Sequence, residues 1–232
     1  TARGGGEDIL VREYVLSVNR PVFFLFGVGN SMLFSSVNKM KAEYAAEIII
    51  SLANHSCRKE GSFGLGMFSD GMVYELPLMI GDVQYANLIN ALTNPSFYGG
   101  NVDYAKTFDY IIKSLRIDTT IILLSDFIGL KGDWERRFGI MTSKFEVVPI
   151  MIRDPIDEKL PGKAGLAVVE DPYSDQTMIM DDTLSIANNY KAEVTRQEES
   201  IRKVMRKYDL TLLKLIIDKP FGQDIMKYFS KN

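Results

Sequence analysis

The chain has 232 residues, 46% of them hydrophobic and 25% charged. That is the composition of a soluble globular domain and excludes disordered, collagen-like and coiled-coil classes. A formal charge of -3, from 27 basic and 30 acidic residues, provides no global field for nucleic acid or an anionic membrane. Cys57 is the single cysteine, so no intramolecular disulfide framework exists, and no run of about 18 apolar residues offers a membrane span.

The opening TARGGGEDILVREYV reads as a loose arm, residues 1–20, leading into an edge strand at 9–15. Residues 22–26, VFFLF, form an unbroken apolar run, as expected of a central parallel strand covered on both faces. The run empties into GVGNS at 27–31. In the stretch 39–59, Met40, Tyr44, Ala45, Ile48, Leu52 and Ala53 share one helical stripe, which Gly61 stops. FGLGMFSDGMVYELP predicts two strands joined at Asp70 and Gly71, the second an antiparallel edge ended by Pro77. Helices at 83–92 and 102–115 flank the turn-rich TNPSFYGGN. TTIILLSDF is another strand buried on both faces, ending on Ser125 and Asp126. WERRFGIM predicts a short helix, FEVVPIMIRDP a third buried strand, and GLAVVEDPYSDQTMIMDD a hairpin-like excursion. Residues 185–208 form a long amphipathic helix with Val194, Ile201, Val204, Met205 and Tyr208 on one face. LTLLKLII is the last strand and FGQDIMKYF a closing helix.

Strands alternating with helices of ten or more residues predict an α/β domain over 21–232: a mostly parallel, doubly wound sheet with helices on both faces and an antiparallel edge hairpin. Sites in such sheets form outside the carboxyl ends of the strands. Three segments meet on that rim: Gly27, Gly29 and Ser31 after the first strand, Asn101 before a helix, and Asp126 after TTIILLS.

As a phosphate cradle, GVGNSM holds the first two glycines of Gly-x-Gly-x-x-Gly but puts Met32 where the third is needed, and it has no P-loop lysine. As a metal site, Ser31, Asn101 and Asp126 supply oxygen donors that magnesium accepts, with one carboxylate among them. In the competing reading Asn101 caps a helix that begins at Val102, Asp103 sits in its first turn, and Ser31 and Asp126 bond to neighbouring backbone. His55 and Cys57 lack companions for a zinc cage or a nucleophilic pair and sit at the helix end away from the rim, where a histidine suits the negative dipole end. The acidic pairs Glu170-Asp171 and Asp181-Asp182 lie in or beside the hairpin and read as solvated turns rather than glycosidase carboxylates. No catalytic constellation emerges. The chain is not expected to be an enzyme, and the alternative is a metal- or nucleotide-dependent hydrolase using the same rim.

The rim resembles the metal-ion-dependent adhesion site of the von Willebrand factor A domain, where Asp-x-Ser-x-Ser follows the first strand, a Thr precedes a later helix and an Asp follows the fourth strand. GVGNS puts Gly27 at the Asp and Gly29 at the first Ser and retains Ser31; Asn101 stands at or near the Thr, and Asp126 in LLSDF matches the last Asp. More specifically, the whole chain resembles the bacterial and archaeal family of unknown function numbered fifty-eight, in TARGGGEDILVREY, in VVPIMIRDPIDEKLP and in the later DDT. The resemblance implies a C-terminal fragment, because the first residue falls inside the family's leading motif, and upstream parts of relatives commonly span the membrane. It implies a cytoplasmic location, at the membrane's cytoplasmic face in the full-length protein, and work beside a MoxR-type AAA+ ATPase in assembling or activating other proteins.

The expectation is therefore a protein-interaction or scaffold module with a degenerate metal site at Gly27, Gly29, Ser31, Asn101 and Asp126. Loops 27–36, 98–103 and 126–132 present it, with Phe34, Phe97, Tyr98, Phe127 and Trp134 as candidate anchors. No cofactor is expected, and magnesium at most weakly, on Ser31, Asn101 and Asp126. Asp126 should instead be held by rim hydroxyls or backbone N–H groups. Gly27→Asp with Gly29→Ser should restore a metal loop wherever the backbone there does not need positive φ.

Overall fold

The computed structural model describes residues 20–158, 168–170, 177–179 and 183–231; the arm and its edge strand at 9–15 lie outside them. The elements run β1 (Val22–Gly27), α1 (Lys41–Arg58), β2 (Phe63–Ser69), β3 (Gly71–Met79), α2 (Asp82–Leu92), α3 (Tyr104–Ser114), β4 (Thr120–Ser125), α4 (Trp134–Lys144) and β5 (Glu146–Arg153). A one-turn α5 (Pro155–Glu158), β6 (Val168–Glu170), β7 (Thr177–Ile179), α6 (Thr183–Lys207), β8 (Leu213–Ile216) and α7 (Gly222–Lys231) follow. Short 3-10 turns at Asn30–Leu33 and Pro95–Phe97 interrupt two of the loops.

Six strands form one sheet in the order β3-β2-β1-β4-β5-β8, and β6 and β7 pair separately as the predicted hairpin. All neighbours in the large sheet are parallel except β2 and β3. This is the expected Rossmann-like α/β arrangement: the chain winds outward from β1 in one direction and from β4 in the other, so the switch point lies between them.

The two apolar runs explain why β1 and β4 are central. Successive side chains on a strand point to opposite faces, so each run feeds two cores at once. Val22, Phe24 and Phe26, with Ile122 and Leu124, pack against Ile48 and Leu52 of α1 and Leu88 of α2. Phe23 and Leu25, with Ile121 and Leu123, pack against Phe108, Phe138 and Ile201 of α3, α4 and α6. The ring of Phe23 needs room over β2, and a Cβ at Gly64 or Gly66 would lie 3.0 or 2.9 Å from it.

Among the boundaries that differ from expectation, two have a clear local cause. β3 runs through Pro77 to Met79, because an edge strand tolerates a missing N–H where its register shifts. Helix α3 begins at Tyr104 rather than Val102, and its cap is Asp103, whose carboxylate accepts the Lys106 N–H at 2.9 Å. Asn101 therefore does not cap it. Among the described residues no helix is long and apolar enough to cross a membrane.

Candidate functional site

Beyond the end of β1 the backbone is sewn to two neighbours. The Val28 N–H donates to the Phe68 carbonyl at 2.8 Å, the Gly99 N–H to the Val28 carbonyl at 2.8 Å, and the Asn30 N–H to the Gly100 carbonyl at 2.9 Å. The side-chain oxygen of Asn30 accepts the Gly100 N–H in return, at 2.7 Å. Gly29 lies in extended backbone, with φ -64° and ψ 172°, so its role is close approach rather than conformational freedom. A Cβ there would stand 2.3 Å from Val102 Cγ2, and a Cβ on Gly27 would stand 2.8 Å from Ser125 Oγ. Ser125 Oγ is itself 2.7 Å from the Tyr104 hydroxyl.

Asp126, just past β4, is completely buried. The next residue, Phe127, turns left-handed with φ 54° and stacks its ring on Tyr104, centroids 6.1 Å apart. That turn aims the Ile128 N–H at Asp126 Oδ1, 3.1 Å away. Asp126 Oδ2 accepts a hydrogen bond at 3.0 Å from the ammonium of Lys41, the first residue of α1, whose side chain is only 2% exposed. Lys41 Nζ also lies 3.6 Å from Asp157 Oδ2. The same Asp157 oxygen accepts the Asp154 N–H at 2.9 Å. Asp154, fully buried, accepts the Ser36 N–H at 2.7 Å, the Ser36 hydroxyl, and the Ile156 N–H at 2.9 Å. A chain of polar contacts thus runs from the end of β4 through α1 and α5 to the loop before α1.

The expectation for Asp126 is half met: a backbone N–H holds one oxygen, but a lysine rather than a hydroxyl holds the other. Lys41, Asp154 and Asp157 are absent from the sequence-derived site. Lys41 falls on the apolar stripe of α1 with Tyr44, Ala45, Ile48 and Leu52, at intervals of 3, 4, 7 and 11 residues, and that register was the available signal. Met40, placed on the stripe by sequence, is the exposed N-cap residue instead.

Ser31 is buried in its 3-10 turn, while Asn101 is exposed and lines an open cavity of about 370 Å³ with Asp70, Asp103 and Lys131. A divalent cation of the kind the resemblance implies does not fit these residues. Gly27 and Gly29 bring no side-chain oxygen and have no space for one, and the ammonium of Lys41 already occupies the approach to Asp126 Oδ2. Magnesium demands near-octahedral oxygens at about 2.0–2.1 Å.

At the far end of α1, burial first and Lys59 second push the His55 pKa below its ordinary value. The Cys57 thiol donates to Asp82 at 3.5 Å, and burial followed by Asp82 raises its pKa, the opposite of what a nucleophile needs. Asp171, Asp181 and Asp182 lie outside the described residues.

The aromatic anchors divide. Phe127 is core, Phe97 stacks on Tyr74 at 4.6 Å, Trp134 leans on Phe138, and Tyr98 meets Phe26 edge-on while its hydroxyl donates to the Leu92 carbonyl at 2.6 Å. Phe34 is 47% exposed, and Leu33, Val37 and Met40 are exposed beside it in the chain. The loop carrying them is the one pinned by Ser36 to Asp154.

Among solved structures, the chain is similar to the conserved hypothetical protein BatB from Bacteroides thetaiotaomicron, at 13% identity and TM-score 0.55, over 92% of this chain and 100% of that one. It is also similar to an aerotolerance-related membrane protein from Bacteroides fragilis, at 12% identity and TM-score 0.57, over 92% and 98% of the two chains. These likenesses show the fold. The uncharacterized protein MAV169 of Mycobacterium avium is 23% identical over 126 residues, 54% of this chain and 73% of the relative. The profile of the proteins of unknown function DUF58 matches residues 1–200, and the chain therefore belongs to the DUF58 family.

Proposed function

We propose that this domain is a von Willebrand factor A-like, non-catalytic interaction module that docks a protein partner on its rim. The partner is a MoxR-type AAA+ ATPase, and together they assemble or activate other proteins at the cytoplasmic face of the membrane. One observation carries the reading: Leu33, Phe34, Val37 and Met40 expose large apolar surface on a loop whose backbone the Ser36–Asp154 bonds hold in place. Pre-positioned apolar anchors lose little entropy on docking, which favours binding. The Asp126 carboxylate, which a hydrolase on this rim would use, is engaged by Lys41.

The test is binding of the purified protein to a MoxR-type AAA+ ATPase of the same organism, with Phe34→Asp/Val37→Asp as the comparison. The variant is expected to lose at least about tenfold in affinity, as for a central anchor, with its fold unchanged by circular dichroism. Undiminished binding by the variant, or none by the unmodified chain, refutes the assignment. Hydrolysis of ATP or a phosphoester that Asp126→Ala abolishes would put the hydrolase in its place.

A further inference from the structure

We propose that the ammonium of Lys41 is a built-in cation that takes the place of a divalent ion at this rim, so that the rim keeps its shape without metal. Asp126 and Asp157 are both buried, and buried carboxylates are costly without positive charge close by. Lys41 Nζ lies within 4 Å of a carboxylate oxygen of each. Its position is otherwise unfavourable: the first turn of a helix repels cations and attracts anions, and burying a lysine side chain sacrifices both hydration and rotamer freedom. Asp126 at the end of β4 and Asp157 in α5 supply the compensation. An ammonium on a flexible stem is a compact point charge that can sit between two such groups much as a hard ion does, and it cannot be chelated away.

This inference is independent of who the partner is, and its test contains no partner. Manganese is titrated into the unmodified protein by calorimetry, and thermal unfolding is followed with and without EDTA; no binding and an unchanged Tm are expected. In Lys41→Met, Tm is expected to fall on the order of 10 °C, as when one member of a buried ion pair is removed. Manganese should then recover part of that fall in a saturable way, because the carboxylates become available to a hard ion. The double variant Lys41→Met/Asp126→Asn should be more stable than Lys41→Met and indifferent to manganese. Micromolar manganese binding by the unmodified protein, or a loss of Tm in EDTA, overturns the proposal. So does a Lys41→Met variant that is as stable as the unmodified protein or that manganese fails to restabilise. Should Lys41→Met not fold, a folded double variant supports the proposal, and the unmodified protein's response to manganese and EDTA decides the case in which neither folds.

Discussion

Replacing Gly29 with alanine adds one carbon at the tightest point of the rim. The backbone there suits any residue, so conformational strain is absent, and a shorter list of unfolded states would by itself stabilise by about 0.4–1 kcal/mol. Against that, the new Cβ would stand 2.3 Å from Val102 Cγ2 and 3.1 Å from the Gly100 carbonyl oxygen. Carbon atoms prefer a separation of about 3.5–4.0 Å. Relief requires Val102 to leave its position or the 98–101 loop to retreat, which would loosen the Asn30–Gly100 bonds. Overpacking of this kind costs about 1–3 kcal/mol, and net of the entropy gain Gly29→Ala should destabilise by about 1–2 kcal/mol. At roughly 2–4 °C per kcal/mol for a domain of this size, Tm should fall by about 2–8 °C in a calorimetric scan. The control is Val102→Ala, which removes the obstructing atom; Gly29→Ala/Val102→Ala should be more stable than the sum of the single effects by about 1 kcal/mol. A Gly29→Ala variant at or above the stability of the unmodified protein, or strictly additive single effects, would refute the reasoning. The same geometry predicts that Gly27→Asp/Gly29→Ser does not build a metal loop, since each new side chain must first displace Ser125 or Val102.

Three further outcomes are expected. Ser36→Ala removes a hydroxyl from a buried carboxylate, should cost about 1–3 kcal/mol, and should speed amide hydrogen exchange at 33–37; unchanged exchange there would separate the loop from Asp154. Glu198 is pushed up by burial but pulled further down by hydrogen bonds from Lys214 and Arg202, so its pKa lies below the ordinary 4.5. The carboxylate's contribution is present above that value and is lost as pH falls through the depressed pKa, so Glu198→Gln should be less stable in urea at neutral pH, by a margin that closes in acid. His55 takes a proton less readily folded than unfolded, so stability should decline as pH falls below the ordinary 6.5; His55→Gln should flatten that decline, and an identical slope would refute it.

How far the fold could be read along the chain depended on whether local chemistry was decisive. VFFLF and IILL contain no polar residue to place on a solvent face, so burial on both sides, and with it the middle of a parallel sheet, followed directly. The start of α3 is read too early, at Val102 behind an Asn101 cap, because Asn101 and Asp103 are both good cap residues. The choice is made by a tertiary bond, the Asp103 N–H donating to the Ser69 carbonyl at 2.8 Å. Phe34 and Phe127 look alike as aromatics in rim loops. The left-handed turn at Phe127 and the waiting ring of Tyr104 bury one, while the other has no partner ring in its own short loop.

Lys41 shows the limit most clearly. A charged residue at a helix start reads as surface, and Met40 beside it reads as core, yet the two are exchanged because α1 begins at Lys41: Met40 is its N-cap in extended backbone, and Lys41 takes the place on the stripe with Tyr44 and Ala45. The reason lies 85 residues away, at Asp126, and further on at Asp157. A buried carboxylate at a strand end requires a positive charge, but the strand that carries it cannot specify whether the charge comes from solution as an ion or from a neighbouring helix as a side chain. Here the register of α1 makes that choice. It also ties the choice to the exposed apolar loop proposed for docking, since the loop that leads into α1 is anchored by Ser36 to Asp154, whose own N–H rests on the second carboxylate that Lys41 faces.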